Sequence, residues 1–345
     1  MNDRNEKMID IIIKKADVLC PDSLALIGVY GSVITKDEYE KSDLDLMILI
    51  NDEKGQVLAD GFILDDVDIG YDLYCTSWDM LEKDAQCDHA HLSKLFDSVI
   101  VYCKDKSALK RLEGIRRKAA ELLASEKRYE KADKAYSDAK KMLAEVYLAQ
   151  SLSKARSCAG AAVEFLENAV MLHNGRYFRR GTKRALDELK QLGLPFDPET
   201  RILAVIQAKT LEKIRAELTE VFVLTDGYLQ VPKKKELPSA ENLRGTYEEM
   251  YSNWKNKMAE AAGRDDVYSS FMNLLSLQWM FYEIAEGIAV DDFEIMDKFN
   301  PENLEENVDV FDQALNKYLA EYEKAGICPR HFESVAEFAE DRSES

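Results

Sequence analysis

The sequence lacks paired cysteines, an excess of basic charge and any long apolar run, and each absence excludes a class of protein. Its six cysteines are scattered and form no CxxC pair, which argues against a disulfide framework and is typical of reduced cytosolic thiols. The net charge of −19 argues against a nucleic-acid partner, because neutralising phosphates requires a basic surface. The first residues, MNDRNEKMIDIIIKKA, carry charges throughout, so they form neither a signal peptide nor a membrane span. We therefore expect a cytoplasmic protein without a nucleic-acid or membrane partner.

What the chain does have is length, with an ordinary balance of apolar and charged residues. At 345 residues, 46% of them hydrophobic and 32% charged, it is long enough for two or three globular domains. Strand and helix signals alternate at first, and only helix signals follow, so the predicted fold class is α+β. We predict a small mixed-sheet domain at 1–106, an all-α helical bundle at 107–226, a linker at 227–245 and a further helical region at 246–345 whose acidic tail frays.

The first third of the chain gives both kinds of signal. Apolar residues at helical spacing predict a helix at 4–19, and continuous apolar runs predict buried strands at 24–30 and 44–50. Strict alternation over 66–75 predicts a strand with one polar face. Thr76-Ser77 is a good helix start, and Val99 to Tyr102 reads as an edge strand.

Helical periodicity dominates the rest of the sequence. The predicted helices are 107–124, 126–150, 152–174, 182–192, 198–223, 246–263, 266–290 and 302–325. The segment 225–245 contains two prolines and a run of lysines, which is why we predict a linker there.

Two acids stand at the start of the second apolar strand. In Asp43-Leu44-Asp45 the two-residue period of a strand sends both carboxylates to one face and Leu44 to the other. Two carboxylates on one face repel each other unless a cation lies between them, and magnesium prefers such hard oxygen ligands. Gly31-Ser32, after the first strand, offers close backbone approach and N–H donors to an anion.

A third acid lies on the polar face of the 66–75 strand. Asp72 and Asp68 share this face, and we prefer Asp72 because the apolar run around it is longer and leads directly into a helix start. The predicted metal ligands are therefore Asp43, Asp45 and Asp72.

This pattern resembles the DNA polymerase beta-like nucleotidyltransferase superfamily, whose motif is Gly followed by Gly or Ser, a spacer, and Asp-x-Asp between apolar residues. Tyr30-Gly31-Ser32 and Asp43-Leu44-Asp45-Leu46 match it, and Asp72 falls at the third family aspartate. The similarity covers about residues 1–105. A looser similarity to aminoglycoside- and kanamycin-type nucleotidyltransferases, which carry a C-terminal helical domain, extends to about residue 224.

The resemblance implies an EC 2.7.7-type, magnesium-dependent nucleotidyltransferase. Two Mg²⁺ ions, ATP or another nucleoside triphosphate, and a small-molecule acceptor such as an antibiotic would be its ligands. Asp43, Asp45 and Asp72 would bind the metals and carry the catalysis, and Gly31 and Ser32 would seat the phosphates. The alternative is a regulatory or antitoxin-like nucleotidyltransferase that modifies or binds a protein partner; a homodimer also stays open.

Two further groups of residues have weaker assignments. Lys183 belongs to a basic segment, 176–184, which can contact phosphates, a neighbouring subunit or only solvent. Glu145, Glu164 and Glu167 are the candidates for the base that deprotonates the acceptor, and the sequence does not choose among them.

Overall fold

The computed structural model describes residues 3–230 and 235–343. It confirms the α+β class, with a small mixed sheet followed by helices. The described residues form two compact units that divide after Gln230. The strands, all in the first unit, are β1 (Leu24–Val29), β2 (Leu46–Ile50), β3 (Asp60–Leu64), β4 (Ile69–Leu73), β5 (Cys75–Ser77) and β6 (Val99–Cys103).

The helices of the first unit surround and extend the sheet. They are α1 (Asp3–Leu19), α2 (Ser32–Thr35), α3 (Trp78–Asp84), α4 (Ser93–Asp97), α5 (Lys106–Ala124), α6 (Lys127–Leu148), α7 (Leu152–His173), α8 (Ala185–Lys190), α9 (Pro198–Gln207) and α10 (Leu211–Leu229). Short 3-10 helices occupy Glu53–Leu58 and Thr182–Arg184.

A four-stranded sheet in the order β5-β2-β1-β6 is the centre of the first unit. β1 is antiparallel to β2 and β6, while β2 and β5 are parallel, and β6 is an edge strand as predicted. The apolar runs of β1 and β2 are buried on both faces: Met47 and Leu49 face the helical bundle, whereas Ile48 and Ile50 pack with Ile12 of α1. Full burial of each such side chain contributes roughly 1.5–3 kcal/mol, which fixes the position of the acids just before β2.

A separate two-stranded hairpin holds the predicted third acid. β3 and β4 pair with each other, and the turn between them comprises residues 65–68. We did not predict β3, whose acid and glycine at its start are poor strand formers. The predicted strand at 66–75 is therefore shorter, since 66–68 lie in the turn and the chain continues as β4 and β5. The predicted helix start is confirmed, because the Ser77 hydroxyl accepts the Met80 N–H at 3.2 Å.

Helices α5 to α10 form a bundle that shares one apolar core with the sheet, reaching from Ala25 to Leu229. The regions 1–106 and 107–226 thus lie in one compact unit. The prediction of a single helix at 198–223 is wrong: Ala208 leaves the helical conformation, and the Thr210 hydroxyl caps a new helix by accepting the Lys213 N–H at 3.2 Å. The new helix runs to Leu229, so the first residues of the expected linker are helical.

The second unit consists of helices and one isolated bridge between Glu236 and Ile288 in its described residues. Its elements are α11 (Ala240–Leu243), α12 (Thr246–Met250), a π-helix (Tyr251–Lys255), α13 (Asn256–Gly263), α14 (Val267–Gly287), a 3-10 helix (Met296–Lys298), α15 (Leu304–Lys324) and α16 (Val335–Ser343). Phe281, Phe311 and Tyr318 are the centre of its core. α11 lies within the expected linker, of which 231–234 are outside the described residues. α16 includes part of the acidic tail, whose fraying stays a prediction.

None of the helices in the described part of the chain combines the length and the apolar composition that crossing a bilayer requires.

Gly175 ends α7 in the left-handed region, and its replacement provides a test of the fold. Its φ is +62°, and a Cβ there would lie 2.5 Å from the carbonyl oxygen of Leu123. We expect Gly175→Ala to lower the free energy of unfolding by about 1–3 kcal/mol, measured by urea denaturation. The control is Gly114→Ala within α5, where a Cβ meets nothing within 4 Å and a gain of about 0.5–1 kcal/mol is expected. Equal effects of the two changes would contradict this account of the α7 end.

Candidate functional site

The turn after β1 is built on a glycine in a conformation that other residues rarely adopt. Gly31 has φ +68° and ψ −146°, which turns the chain out of the strand and into the single turn of α2. Its carbonyl oxygen accepts the N–H groups of Ile34 and Thr35 at 3.2 and 3.1 Å. One residue earlier, the Tyr30 N–H donates to the Asp45 carbonyl at 3.1 Å, so the β1–β2 pairing extends to the predicted acids.

The Asp45 carboxylate fills the space that a side chain on Gly31 would need. A Cβ on Gly31 would lie 1.9 Å from Oδ2 and 2.6 Å from Cγ of Asp45, distances that no two such atoms can adopt. The backbone N–H of Ser32 donates a hydrogen bond to the same carboxylate. The Gly-Ser turn and the second acid of the Asp-x-Asp pair therefore form one site.

Burial and a like charge together make ionisation of Asp45 costly. Asp45 is half-buried, Asp43 is exposed, and Leu44 between them points into the apolar core. Burial, and secondly the charge of Asp43, raise the pKa of the Asp45 carboxyl to about 6, although the Ser32 N–H acts in the opposite direction. A divalent cation between the two carboxylates would remove this repulsion, so the pair fits Mg²⁺ in charge and ligand chemistry.

Asp72 is exposed on β4, opposite Gly61 of β3. The parallel register of β2 and β5 pairs Ile48 with Cys75, and the same register continued three residues towards the strand starts would bring Asp72 level with Asp45. The observed pairing begins only at Cys75, and Asp72 is not among the groups that shift the Asp45 pKa. Within residues 3–230 and 235–343, no three histidine, cysteine or carboxylate side chains lie close enough to hold a metal ion. The structure thus brings Asp43 and Asp45 together and leaves the role of Asp72 a prediction.

Asp68, the rival acid, lies in the hairpin turn with φ +53° and forms an ion pair with Lys41. Asp68 thus has a charged partner, Lys41, that lies outside the Gly-Ser turn.

A pair of tyrosines, which the sequence reasoning missed, links the Gly-Ser turn to the strand of Asp72. The hydroxyls of Tyr30 and Tyr74 lie 2.7 Å apart. Burial first, then Tyr74 and the charges of Asp45 and Asp43, hold the pKa of the Tyr30 hydroxyl well above its usual range. The signal available in the sequence is position, because Tyr30 directly precedes the glycine and Tyr74 follows Asp72 by two residues on the same face.

The basic segment contacts the loop between Ser32 and Asp43. Arg184 donates from Nε and Nη2 to the two carboxylate oxygens of Asp37 at 2.8 and 2.7 Å. Lys183 donates from Nζ to the Asp37 carbonyl oxygen at 3.2 Å, and its ammonium lies 5.0 Å from the ring centre of Tyr39. The Arg184 hydrogen bond lowers the pKa of the Asp37 carboxyl to about 2. Asp37 is a residue that sequence reasoning did not single out.

The three candidate bases differ in their surroundings. Glu145 pairs with Lys154 at 3.6 Å, whereas Glu164 and Glu167 both line a cavity of about 480 Å³ in the bundle. Oε1 of Glu164 lies 3.9 Å from Nε2 of His91, which lines the same cavity.

Comparison with known proteins gives matches among solved structures. No protein-family model and no curated protein matches the chain. Among solved structures, the chain is similar to a nucleotidyltransferase-like protein from Exiguobacterium sibiricum 255-15, at 12% sequence identity and a TM-score of 0.34, over 82% of this chain and 92% of that one. A similarity of this size carries no argument about activity, which has to come from the residues of the site.

The contact between Gly31 and Asp45 can be tested by a double-mutant cycle. We expect Gly31→Ala to cost about 2–4 kcal/mol of unfolding free energy, from the positive φ and from the collision with the carboxylate. In an Asp45→Ala background only the conformational cost of roughly 1–2 kcal/mol should persist. Gly61→Ala on β3, where a Cβ would meet only the Tyr71 carbonyl oxygen at 4.0 Å, is the control. An identical cost of Gly31→Ala in both backgrounds would show that the carboxylate does not occupy this space.

Proposed function

We propose that this chain is a nucleotidyltransferase that moves AMP from ATP to a hydroxyl group of a small-molecule acceptor and releases pyrophosphate. The single observation that carries the proposal is the fit of the Asp45 carboxylate against Gly31. It joins a turn suited to phosphates and a pair of acids suited to magnesium in one place.

The acids of the pair would hold the metal that accompanies the triphosphate. Burial, and secondly repulsion by Asp43, raise the pKa of Asp45, and a bound Mg²⁺ would lower it. When bound, the metal supplies positive charge that neutralises the phosphates. The Ser32 N–H and hydroxyl would then donate to phosphate oxygens, as N–H groups at a turn commonly do.

Transfer requires three things of this chain's own residues. The acceptor hydroxyl must be held in line with the α-phosphorus, so that its oxygen forms the new P–O bond while the bond to pyrophosphate breaks. A carboxylate must accept the hydroxyl proton, and Glu164 and Glu167 are the candidates that line a cavity. Asp72 must approach Asp45 to complete the predicted set of metal ligands. The Tyr30–Tyr74 hydrogen bond is an observed contact between the residue before Gly31 and the residue two positions after Asp72.

Because of the negative charge of the protein, we propose that the acceptor is a cationic small molecule, such as an aminoglycoside- or lincosamide-like antibiotic. A net charge of −19 attracts cations, and the carboxylates of the bundle cavity add local negative charge.

Incubation with labelled ATP, Mg²⁺ and a panel of antibiotics tests the proposed activity. We expect Asp43→Asn and Asp45→Asn to reduce transfer by about a hundredfold or more, because each removes a metal-binding charge. Glu40→Gln, an exposed change in the same loop, is the control and should leave transfer unchanged. Calorimetry should show ATP binding with Mg²⁺ and much weaker binding with a chelator. Equal ATP affinity in both conditions would place the nucleotide away from the acids and overturn the assignment.

The third ligand is tested by comparing two acids of the hairpin. Asp72→Ala should eliminate transfer while ATP binding is largely preserved, since this carboxylate would serve the attacking oxygen. Asp68→Ala, which removes only the ion pair with Lys41, should reduce transfer less than about threefold. The reverse order in a side-by-side kinetic assay would make Asp68 the ligand.

A further inference from the structure

The bundle contains a cavity with apolar walls and two carboxylates. It has a volume of about 480 Å³ and lies among α7, α8 and α9, a size typical of small-ligand sites. The apolar part of the wall is formed by Val163, Leu186, Ile202 and Val205. Such walls bind the hydrocarbon part of a ligand and offer few partners to a molecule that carries many hydroxyl groups.

Glu167 is an acidic group of this cavity that has no partner of opposite charge among the described residues. Its carboxylate has no hydrogen bond or ion pair with any residue in the described part of the chain. Burial, and secondly the neighbouring charge of Glu164, raise the pKa of Glu167 to about 7. A carboxylate in this position is costly to ionise and gains strongly from a cation that enters the cavity.

The protein's own cations nearby are already engaged. Arg156, in the wall of the cavity, donates to the Ala208 carbonyl oxygen at 3.2 Å. Arg201, which shares a small adjacent void with Glu167, lies 2.6 Å from a Glu220 carboxylate oxygen. Burial lowers the pKa of the His91 imidazole, which favours its uncharged form. A positively charged ligand would therefore give Glu167 a partner of opposite charge.

One short segment joins this cavity to the candidate site. Thr182 lies in the cavity wall, and the next two residues, Lys183 and Arg184, bind Asp37 in the loop between the Gly-Ser turn and the acid pair. A molecule in the cavity is therefore next to the segment that holds this loop.

We propose that the cavity binds a lipophilic monoamine, with its hydrocarbon part against the apolar walls and its ammonium group at the Glu167 carboxylate. The claim that such an amine is the acceptor rests on the proposed nucleotidyl transfer, whereas the claim that the cavity binds it does not. The proposal narrows the acceptor to an apolar molecule that carries one amine and one hydroxyl, and it disfavours polyhydroxylated amino sugars. With Glu167 engaged by the cation, Glu164 is the carboxylate that accepts the proton.

Binding is tested on the full chain without ATP, by calorimetry with n-hexylamine and with 1-hexanol as the neutral match. We expect hexylamine to bind about tenfold or more tightly than hexanol, and Glu167→Gln to remove that preference. Glu121→Gln, an exposed change on α5 with the same loss of charge, is the control and should bind both ligands as the wild type does. Equal binding of amine and alcohol by the wild type, or an unchanged preference in Glu167→Gln, would overturn the proposal.

A second variant tests the location without removing a charge. A Cβ on Gly160, which lines the cavity, meets nothing within 4 Å, so Gly160→Leu should fold normally and fill the space. It should weaken both ligands about tenfold or more. Undiminished hexylamine binding by a folded Gly160→Leu protein would place the amine elsewhere.

The pH dependence identifies the carboxylate. An alkylamine stays protonated up to about pH 10, so hexylamine affinity should rise between pH 6 and pH 8 as Glu167 ionises. The other titratable and charged groups facing the cavity are Glu164, His91, Arg156 and, in the adjacent void, Arg201. Burial lowers the pKa of His91, and the comparison with Glu167→Gln separates the titration of the other groups from that of Glu167. The rise should be absent in Glu167→Gln, and a rise that persists there would contradict the assignment.

The acceptor role is tested with labelled ATP and 6-amino-1-hexanol. Label on its hydroxyl, lost in Gly160→Leu, supports the acceptor class. Amine binding without transfer to any acceptor would overturn the proposed function and leave the binding site standing. Transfer to an amino sugar together with no binding of hexylamine would overturn the inference and leave the proposed function standing.

Discussion

The fit of the Asp45 carboxylate against Gly31 is the constraint on which the rest of the candidate site depends. The carboxylate occupies the volume that any side chain at residue 31 would fill, so the glycine is required by a contact across the sheet as well as by its own φ of +68°. The β1–β2 pairing makes the contact, with the Tyr30 N–H bonded to the Asp45 carbonyl. Burial of both strands in the apolar core holds that pairing in register.

The electrostatic interactions of this arrangement destabilise the folded state. Asp45 is half-buried beside a like charge, and its raised pKa means that ionising it at neutral pH opposes folding. A purely structural site would place an uncharged side chain there. Clustered acids that make a fold less stable are expected where a cation is to be bound. The Tyr30 hydroxyl, near the same two acids, is a second polar group with a raised pKa, caused first by burial, then by Tyr74 and then by the two acids.

Local patterns predicted the parts of the structure that depend on neighbours in sequence. Hydrophobic periodicity alone predicts the apolar runs of β1 and β2 and the helices α5 to α7. A single capping residue, Ser77, predicts the start of α3. The proximity of Asp45 to Gly31 follows from two adjacent strands. What the sequence could not show are contacts between distant segments, such as Arg184 with Asp37, and the hydroxyl pair of Tyr30 and Tyr74. The break at Ala208 also escaped prediction, because Thr210 is an ordinary residue until its hydroxyl caps α10.

The Arg184–Asp37 pair explains how a helical region can affect a site built on strands. The loop from Lys36 to Ser42 has to change direction between the Gly-Ser turn and the acids, and Lys36 does so with a positive φ of 58°. A bidentate arginine fixes both oxygens of one carboxylate and therefore the orientation of the chain that carries it. Thr182 borders the bundle cavity, and the next two residues, Lys183 and Arg184, bind Asp37. Three consecutive residues thus lie between the cavity and the loop that precedes the acid pair.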